Sequence, residues 1–186
     1  KISIILNMDA DHLDFFKDID DIRHSFRKFA ELLPADGALI INADTPKYEM
    51  VAENLPCKVI TYGLEHDAEY SASDITYDEF GHPTFHVLHN GADIGICSLK
   101  VPGIHNVSNA LASIAAGRLL GLDNEVIFAG LKDFGGTDRR FQYKGKVGEV
   151  TIIDDYAHHP TEIKATLAAV RNMKHNTLWC LFQPHT

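Results

Sequence analysis

Three short apolar runs, separated by stretches of helical spacing, constrain this chain more than any other feature. Residues 2–6 and 38–41 are almost unbroken Ile, Leu and Ala, and residues 59–62 are Val, Ile, Thr and Tyr. Runs this continuous suit strands buried on both faces, as in a parallel sheet. Between the first two, Ile19, Ile22, Phe26, Phe29, Ala30 and Leu33 recur at helical spacing, and Pro34 follows as a stop. Residues 46–54 fit a short helix with Pro46 at its start. Strand, helix, strand, helix, strand in sequence predicts a parallel α/β sheet.

The pattern then changes. Residues 69–77, 84–88 and 94–100 alternate, with Gly81-His82 and Asn90-Gly91 between them. Asn-Gly between strands is a strong hairpin signal, so an antiparallel meander is expected beside the parallel strands. His82, His86 and His89 fall in it. His86 and His89 are not two apart and should not share a strand face, so solvated side chains are the expected reading rather than metal ligands. An alanine-rich helix is predicted over 107–120, closed by Gly121, and another over 124–131. After Gly135-Gly136 a second unit is expected: a strand over 148–154 with 150–153 buried, a helix over 161–173 and a strand over 178–182. The fold class is therefore α/β, a partial parallel sheet with helices plus an antiparallel meander, followed by the start of a second Rossmann-like α/β domain. The expected domains are 1–138 and 139–186. The chain opens inside one strand and stops just past another, which predicts that it is cut from something larger.

Composition narrows the function classes. Hydrophobic residues make up 45% and charged residues 23% of the 186, which excludes disorder for most of the chain. The net charge is -9 with no basic stripe, against a nucleic-acid partner. Phosphate ligands remain compatible, because local Arg and backbone N–H groups bind them rather than net charge. Cys57, Cys97 and Cys180 are odd in number and form no close pair, so neither a disulfide framework nor a cysteine zinc site is expected. Buried free thiols in a reducing cytoplasm fit better. No leader and no long apolar span predict a cytoplasmic protein without a membrane partner.

Four segments carry candidate chemistry. Asn7-Met8-Asp9-Ala10-Asp11-His12 follows a predicted strand at the carboxyl end, where α/β sheets bind ligands. His12 among carboxylates could hold a divalent metal; equally, the Asp side chains could cap a helix entry. In Gly103-Ile104-His105-Asn106-Val107-Ser108-Asn109, the two Asn are three apart and share a face at a helix start. Carboxamides both donate and accept, which suits a purine edge; N-capping by Asn106 would explain one Asn but not both. In Gly135-Gly136-Thr137-Asp138-Arg139-Arg140, paired arginines near the domain boundary suit a phosphate held between domains. A surface salt bridge to Asp138 is the alternative, above all for Arg139. In Asp154-Asp155-Tyr156-Ala157-His158-His159-Pro160-Thr161-Glu162, a carboxylate after a strand could accept from ribose hydroxyls. The adjacent His pair is a poor zinc site, because neighbouring side chains diverge. A capping box fits Thr161 only loosely. No GxGxxG follows any strand, against a dehydrogenase-like dinucleotide binder.

NMDADHLD, GIHNVSNALA, GGTDRRFQ, DDYAHHPTEIKATL and WCLFQPHT, in that order, resemble the Mur ligases, and the resemblance covers essentially the whole chain. These are ATP-dependent enzymes of peptidoglycan precursor synthesis with a UDP-sugar domain, a central ATP-binding domain and a C-terminal amino-acid domain. The last two motifs are similar to the alanine-adding branch. The resemblance implies a ligase that adds L-alanine to UDP-N-acetylmuramate through an acyl phosphate. A recycling ligase that attaches murein peptide to the same sugar, and a non-catalytic nucleotide-binding module, stand as alternatives. Residues 1–138 would be the latter part of the central domain and 139–186 the start of the C-terminal one. The family's phosphate-binding loop and first domain have no counterpart here, so inactivity of the chain alone is expected, as is self-association through an uncovered sheet edge. By resemblance His12 would bind Mg²⁺, with Asn7 and Asp11 supporting its loop. Asn106 and Asn109, with His105 beside them, would contact the adenine of ATP. Arg140 would reach the terminal phosphate and Asp155 the ribose. His158 and His185 would lie toward the acceptor amino acid, and Arg140 and His158 would be the catalytic pair.

Overall fold

The computed structural model describes residues 1–184. Its larger part is one six-stranded sheet in the order β1-β2-β3-β4-β5-β6. β1 (Ile2–Ile5), β2 (Ala38–Asn42) and β3 (Lys58–Tyr62) run parallel, with Ile2 opposite Ala38 and Ala38 opposite Lys58. β4 (Tyr70–Tyr77), β5 (Pro83–His89) and β6 (Ala92–Ser98) form the antiparallel meander. The two halves meet at a single parallel pair, Tyr62 opposite Tyr70. Parallel neighbours usually need a long crossover, but these strands touch only at one end, so residues 63–69 suffice.

A clamp that the sequence does not announce holds this junction. The Asp44 carboxylate accepts from the backbone N–H groups of Leu64 (2.6 Å), Glu65 (3.0 Å) and His66 (2.9 Å), and lies 3.0 Å from the His66 ring nitrogen Nδ1. Burial penalises its charge, but these donors outweigh burial and hold its pKa below the ordinary 3.8.

α1 (Ile19–Ala30) begins at Asp18, whose carboxylate accepts from the N–H of Asp20 and of Asp21, both at 3.0 Å. Its apolar stripe buries Ile22 and packs Ala30 and the half-buried Phe26 against Leu39, Ile41 and Val51. Phe29, expected in that stripe, is 45% exposed. α2 (Glu49–Ala52) is shorter than predicted. α3 (Ile104–Leu119) lies across the sheet and buries Val107, Leu111 and Ile114 against Ile40, Tyr62, Phe85 and Val87. α4 (Asn124–Asp133) covers β6. There Gly95 has φ 131°, and a Cβ on it would stand 2.8 Å from the Phe128 ring, so a side chain is excluded twice over.

The rest differs more from expectation. β7 (Gln142–Val147) and β8 (Val150–Asp154) form a separate antiparallel hairpin turned at Gly148-Glu149. The stretch expected to be a buried strand is on the surface: Val150 is 62% exposed and Ile152 45%. Among the described residues β8 has β7 as its single strand neighbour, and no residue of the pair is fully buried. α5 (Pro160–Arg171) follows. Residues 178–182, expected as a strand, form none; Trp179 and Leu181 are 85% and 99% exposed, and Cys180 is exposed rather than buried. Their composition suits a buried strand, but a strand is a paired object and the described chain offers them no partner. β1 is likewise only half buried, with Ile4 and Leu6 open, because it pairs on one side alone. Cys57 and Cys97 are buried as expected, and burial pushes the Cys97 thiol up to about 11. No helix among the described residues is long and apolar enough to cross a membrane.

Candidate functional site

A broad cleft runs between the carboxyl ends of β1 and β2, the start of α3 and the beginning of α5. Its walls include Asn7, Asp9, His12, His105, Asn106, Asn109, Arg140, Asp155, Thr161 and Glu162. All four sequence segments thus meet in one depression, though they span more than 150 residues of chain. His158 is not part of that lining.

After β1 the chain turns through Asp9 and Asp11, which accept from the next N–H in sequence, Ala10 at 2.9 Å and His12 at 2.7 Å. The helix entry is capped instead by Asp18, so the capping alternative for this segment fails. His12 takes a left-handed conformation (φ 54°) and presents a side chain 76% exposed, with Asp11 Oδ2 at 3.8 Å from Nε2. Among the described residues no cluster of three or more His, Cys, Asp or Glu could hold a metal by itself. One or two exposed donors fit Mg²⁺ bound mainly through nucleotide oxygens and water, and do not fit a caged ion.

α3 starts at Gly103 rather than at Asn106, which removes N-capping as the explanation of Asn106. Asn106 instead donates from Nδ2 to the Pro102 carbonyl (2.8 Å) and accepts from Asn109 Nδ2 at 3.3 Å. The two carboxamides share one face, as their spacing predicts. Gly103 has φ 99°, and a Cβ there would lie 2.6 Å from His105 Cε1. That ring fills the space, and its Nδ1 is buried with no hydrogen-bond partner among the described residues. Burial lowers the His105 pKa and the Asp155 charge opposes it, so the ring is neutral at pH 7.

Asp155 is a hub. Oδ1 accepts from Ala157 N (2.7 Å), and Oδ2 accepts from Phe141 N (3.0 Å) and Thr166 Oγ1 (3.1 Å). It joins the residue before β7, the loop after β8 and α5, leaving capacity for one further donor at Oδ1. The two arginines diverge. Arg139 stacks its guanidinium 4.3 Å above the Tyr156 ring and makes no ion pair with Asp138. Arg140 points into the cleft and pairs with Glu162, Nη1 to Oε1 at 3.2 Å. α5 is entered through His159, whose Nδ1 accepts from Thr161 N at 3.4 Å, with Pro160 following. The Thr161 side chain is not a cap: its hydroxyl donates to Asp9 Oδ2 at 2.6 Å, 152 residues away. That bond lowers the Asp9 pKa. His158 Nδ1 lies 3.2 Å from the Tyr156 carbonyl. His185 falls outside the described residues. Among those described, the meander histidines each sit beside a carboxylate: His82 by Asp78 (3.0 Å), His86 by Asp93 (2.7 Å), His89 by Glu69 (3.2 Å).

Asp9 and Glu162 carry no individual signal in the sequence, and Thr161 carries only that of a loose cap. All three lie inside the motifs, but their partners are remote and no local pattern encodes them.

The family profile described as "Mur ligase middle domain" matches residues 1–117, and "Mur ligase, glutamate ligase domain" matches 139–186. A UDP-N-acetylmuramate–L-alanine ligase of Lachnospira eligens is 56% identical over 186 residues, which is 100% of this chain and 40% of that protein. The same-named protein of Clostridium perfringens is 47% identical over 185 residues. The chain thus spans about 40% of the length of the curated relatives it matches. Among solved structures, the UDP-N-acetylmuramate-alanine ligase of Thermotoga maritima superposes with TM-score 0.76 at 28% identity, over 92% of this chain and 38% of that one. A murein peptide ligase of Psychrobacter arcticus gives TM-score 0.66 at 26% identity, over 98% and 39%.

Proposed function

We propose that this chain, which belongs to the Mur ligase family, serves an ATP-dependent ligase that adds L-alanine to UDP-N-acetylmuramate. Residues 1–138 would form one wall of its nucleotide site, and 139–186 the start of the acceptor side. The observation that carries the reading is the cleft itself, which His12, Asn106, Asn109, Arg140 and Asp155 all line. The 56% identity to an alanine-adding relative favours alanine over the murein peptide acceptor of the more distant structural relative.

In this reading the lactyl carboxylate attacks the γ-phosphorus of ATP, ADP departs, and the amine of alanine attacks the resulting acyl phosphate to release phosphate. Asn106 and Asn109 meet the adenine edge, because each presents both a donor and an acceptor. His105 backs them as a neutral, buried ring. Asp155 accepts from a ribose hydroxyl at its remaining Oδ1 position. Arg140 places a permanent positive charge where phosphate charge accumulates. His158 would serve the acceptor amine. His12, with Asp11 beside it, would hold Mg²⁺, which when bound neutralises phosphate charge during transfer.

Asn109→Ala tests this with little structural cost, since the Asn109 side chain is exposed and its amide donates only to Asn106. Calorimetric titration with ATP and with GTP, each with Mg²⁺, should show ATP binding weakened about fivefold to tenfold, as for one lost hydrogen bond. The preference for ATP over GTP should shrink with it. Unchanged affinity and unchanged preference would remove the adenine assignment.

A further inference from the structure

We propose that Glu162 is a positioning residue that pairs with the Arg140 guanidinium and yields it to a nucleotide polyphosphate. The carboxylate and the phosphate would then compete for one cation. The inference rests on the reading of Arg140 as a phosphate-binding residue and assigns Glu162 a role in the same site.

The geometry supplies the two halves of the exchange. Glu162 Oε1 lies 3.2 Å from Arg140 Nη1, while Oε2 accepts from His158 N at 3.3 Å. The carboxylate is therefore anchored independently of Arg140, by the backbone that leads into α5. Burial raises its pKa, but the His158 N–H and the Arg140 guanidinium outweigh burial and keep it ionised at pH 7. Losing Arg140 leaves Glu162 with a backbone donor and the helix N-terminus, so the release creates no stranded charge. Arg140 has the matching freedom. Only Nη1 bonds Glu162, which leaves the other donors of the fork available at the cleft that Arg140 lines.

The strengths point the same way. The Arg140 and Glu162 side chains are 55% and 36% exposed, and such pairs shift an equilibrium by roughly one to five times. A polyphosphate carries more charge than one carboxylate and can engage the fork in pairs. The ion pair is strong enough to hold the guanidinium over the cleft and weak enough to be displaced.

Calorimetric titration with ATP and Mg²⁺ separates the two ideas, using the protein that carries this chain as unaltered, Glu162→Gln, Arg140→Gln and doubly substituted forms. The expected result is binding about threefold tighter in Glu162→Gln, weaker binding in Arg140→Gln, and no gain from Glu162→Gln once Arg140 is gone. A merely structural role for Glu162 would not make its effect depend on Arg140. If Arg140→Gln weakens binding while Glu162→Gln leaves it unchanged or weaker, the exchange is wrong and the phosphate role stands. If Arg140→Gln binds like the unaltered protein, or nothing binds ATP, both readings fall. Should Glu162→Gln fold poorly, Glu162→Asp keeps the helix-start charge but withdraws it from Arg140. A smaller gain is expected there, and its absence in a folded protein overturns the exchange.

Discussion

The six-stranded sheet and the hairpin-helix region are built from similar apolar content and reach opposite ends. In the first, Ile40, Tyr62, Phe85, Leu111 and Ile114 are fully enclosed within one cluster. In residues 139–184, the single apolar residue counted as buried is Ala169, while Tyr143, Val147 and Val150 are each more than 60% exposed. Apolar residues stabilise a fold only where a second surface covers them. The sheet has α3 as that surface. The hairpin buries no residue fully, and polar ties such as the Asp155 hub hold it beside α5. The candidate site lies along the seam, where one wall is rigid by packing and the other is held by a few hydrogen bonds.

The largest expected effect tests this contrast directly. Leu111→Ala should cost about 2–5 kcal/mol in urea unfolding, because it opens a cavity in an enclosed core. Val150→Ala, on the open hairpin, should stay within about 0.5 kcal/mol. Comparable losses at the two sites would break the comparison.

Asp44 sharpens it inside the sheet region, where a polar clamp works alongside the core. Its folded pKa lies below the ordinary 3.8. The unfolded chain therefore takes up a proton more readily, and the charge-dependent part of the clamp is fully present above about pH 4. It is lost as pH falls through the lower folded value. At pH 7, Asp44→Asn should cost roughly 1–3 kcal/mol, as for hydrogen bonds that lose an ionised acceptor. The gap between Asn and Asp forms should narrow as pH drops below 3.8. A gap constant from about pH 7 to about pH 2 would show that the charge plays no part.

Much of the sheet region is legible in the sequence because its signals are local. The runs that form β2 and β3, the turn at Asn90-Gly91 and the stop at Pro34 each act within a few residues. The spacing of Asn106 and Asn109 likewise dictates a shared helix face. What the sequence hides is non-local. The donors on Asp44 all come from Leu64, Glu65 and His66, in a loop 20 to 22 residues further along the chain, and no periodicity encodes them. Residues 178–182 depart from expectation for a related reason. Composition states that a segment would suit burial, whereas pairing depends on whether a neighbouring strand is there to receive it. Asn106 is legible only in part, since its amide turns back to Pro102 while Gly103 takes the cap.

The smallest effect on stability concerns the bond across the seam. Thr161 donates to Asp9 at 2.6 Å, where Asp9 is 43% exposed in its side chain. Exposed contacts of this kind contribute less than about 1 kcal/mol, so Thr161→Val should barely move global unfolding. Its local consequence should be clear, because residues 155–171 have little packing of their own. Amide exchange in that stretch should quicken by about threefold to fivefold, with the β2 and α3 amides unchanged. Asp9→Asn should act in the same direction, and the double substitution should add little to either single change, since both remove one contact. Exchange that quickens equally in β2 would mean that the two regions open together, and that the polar seam is as integral to the fold as the core beneath α3.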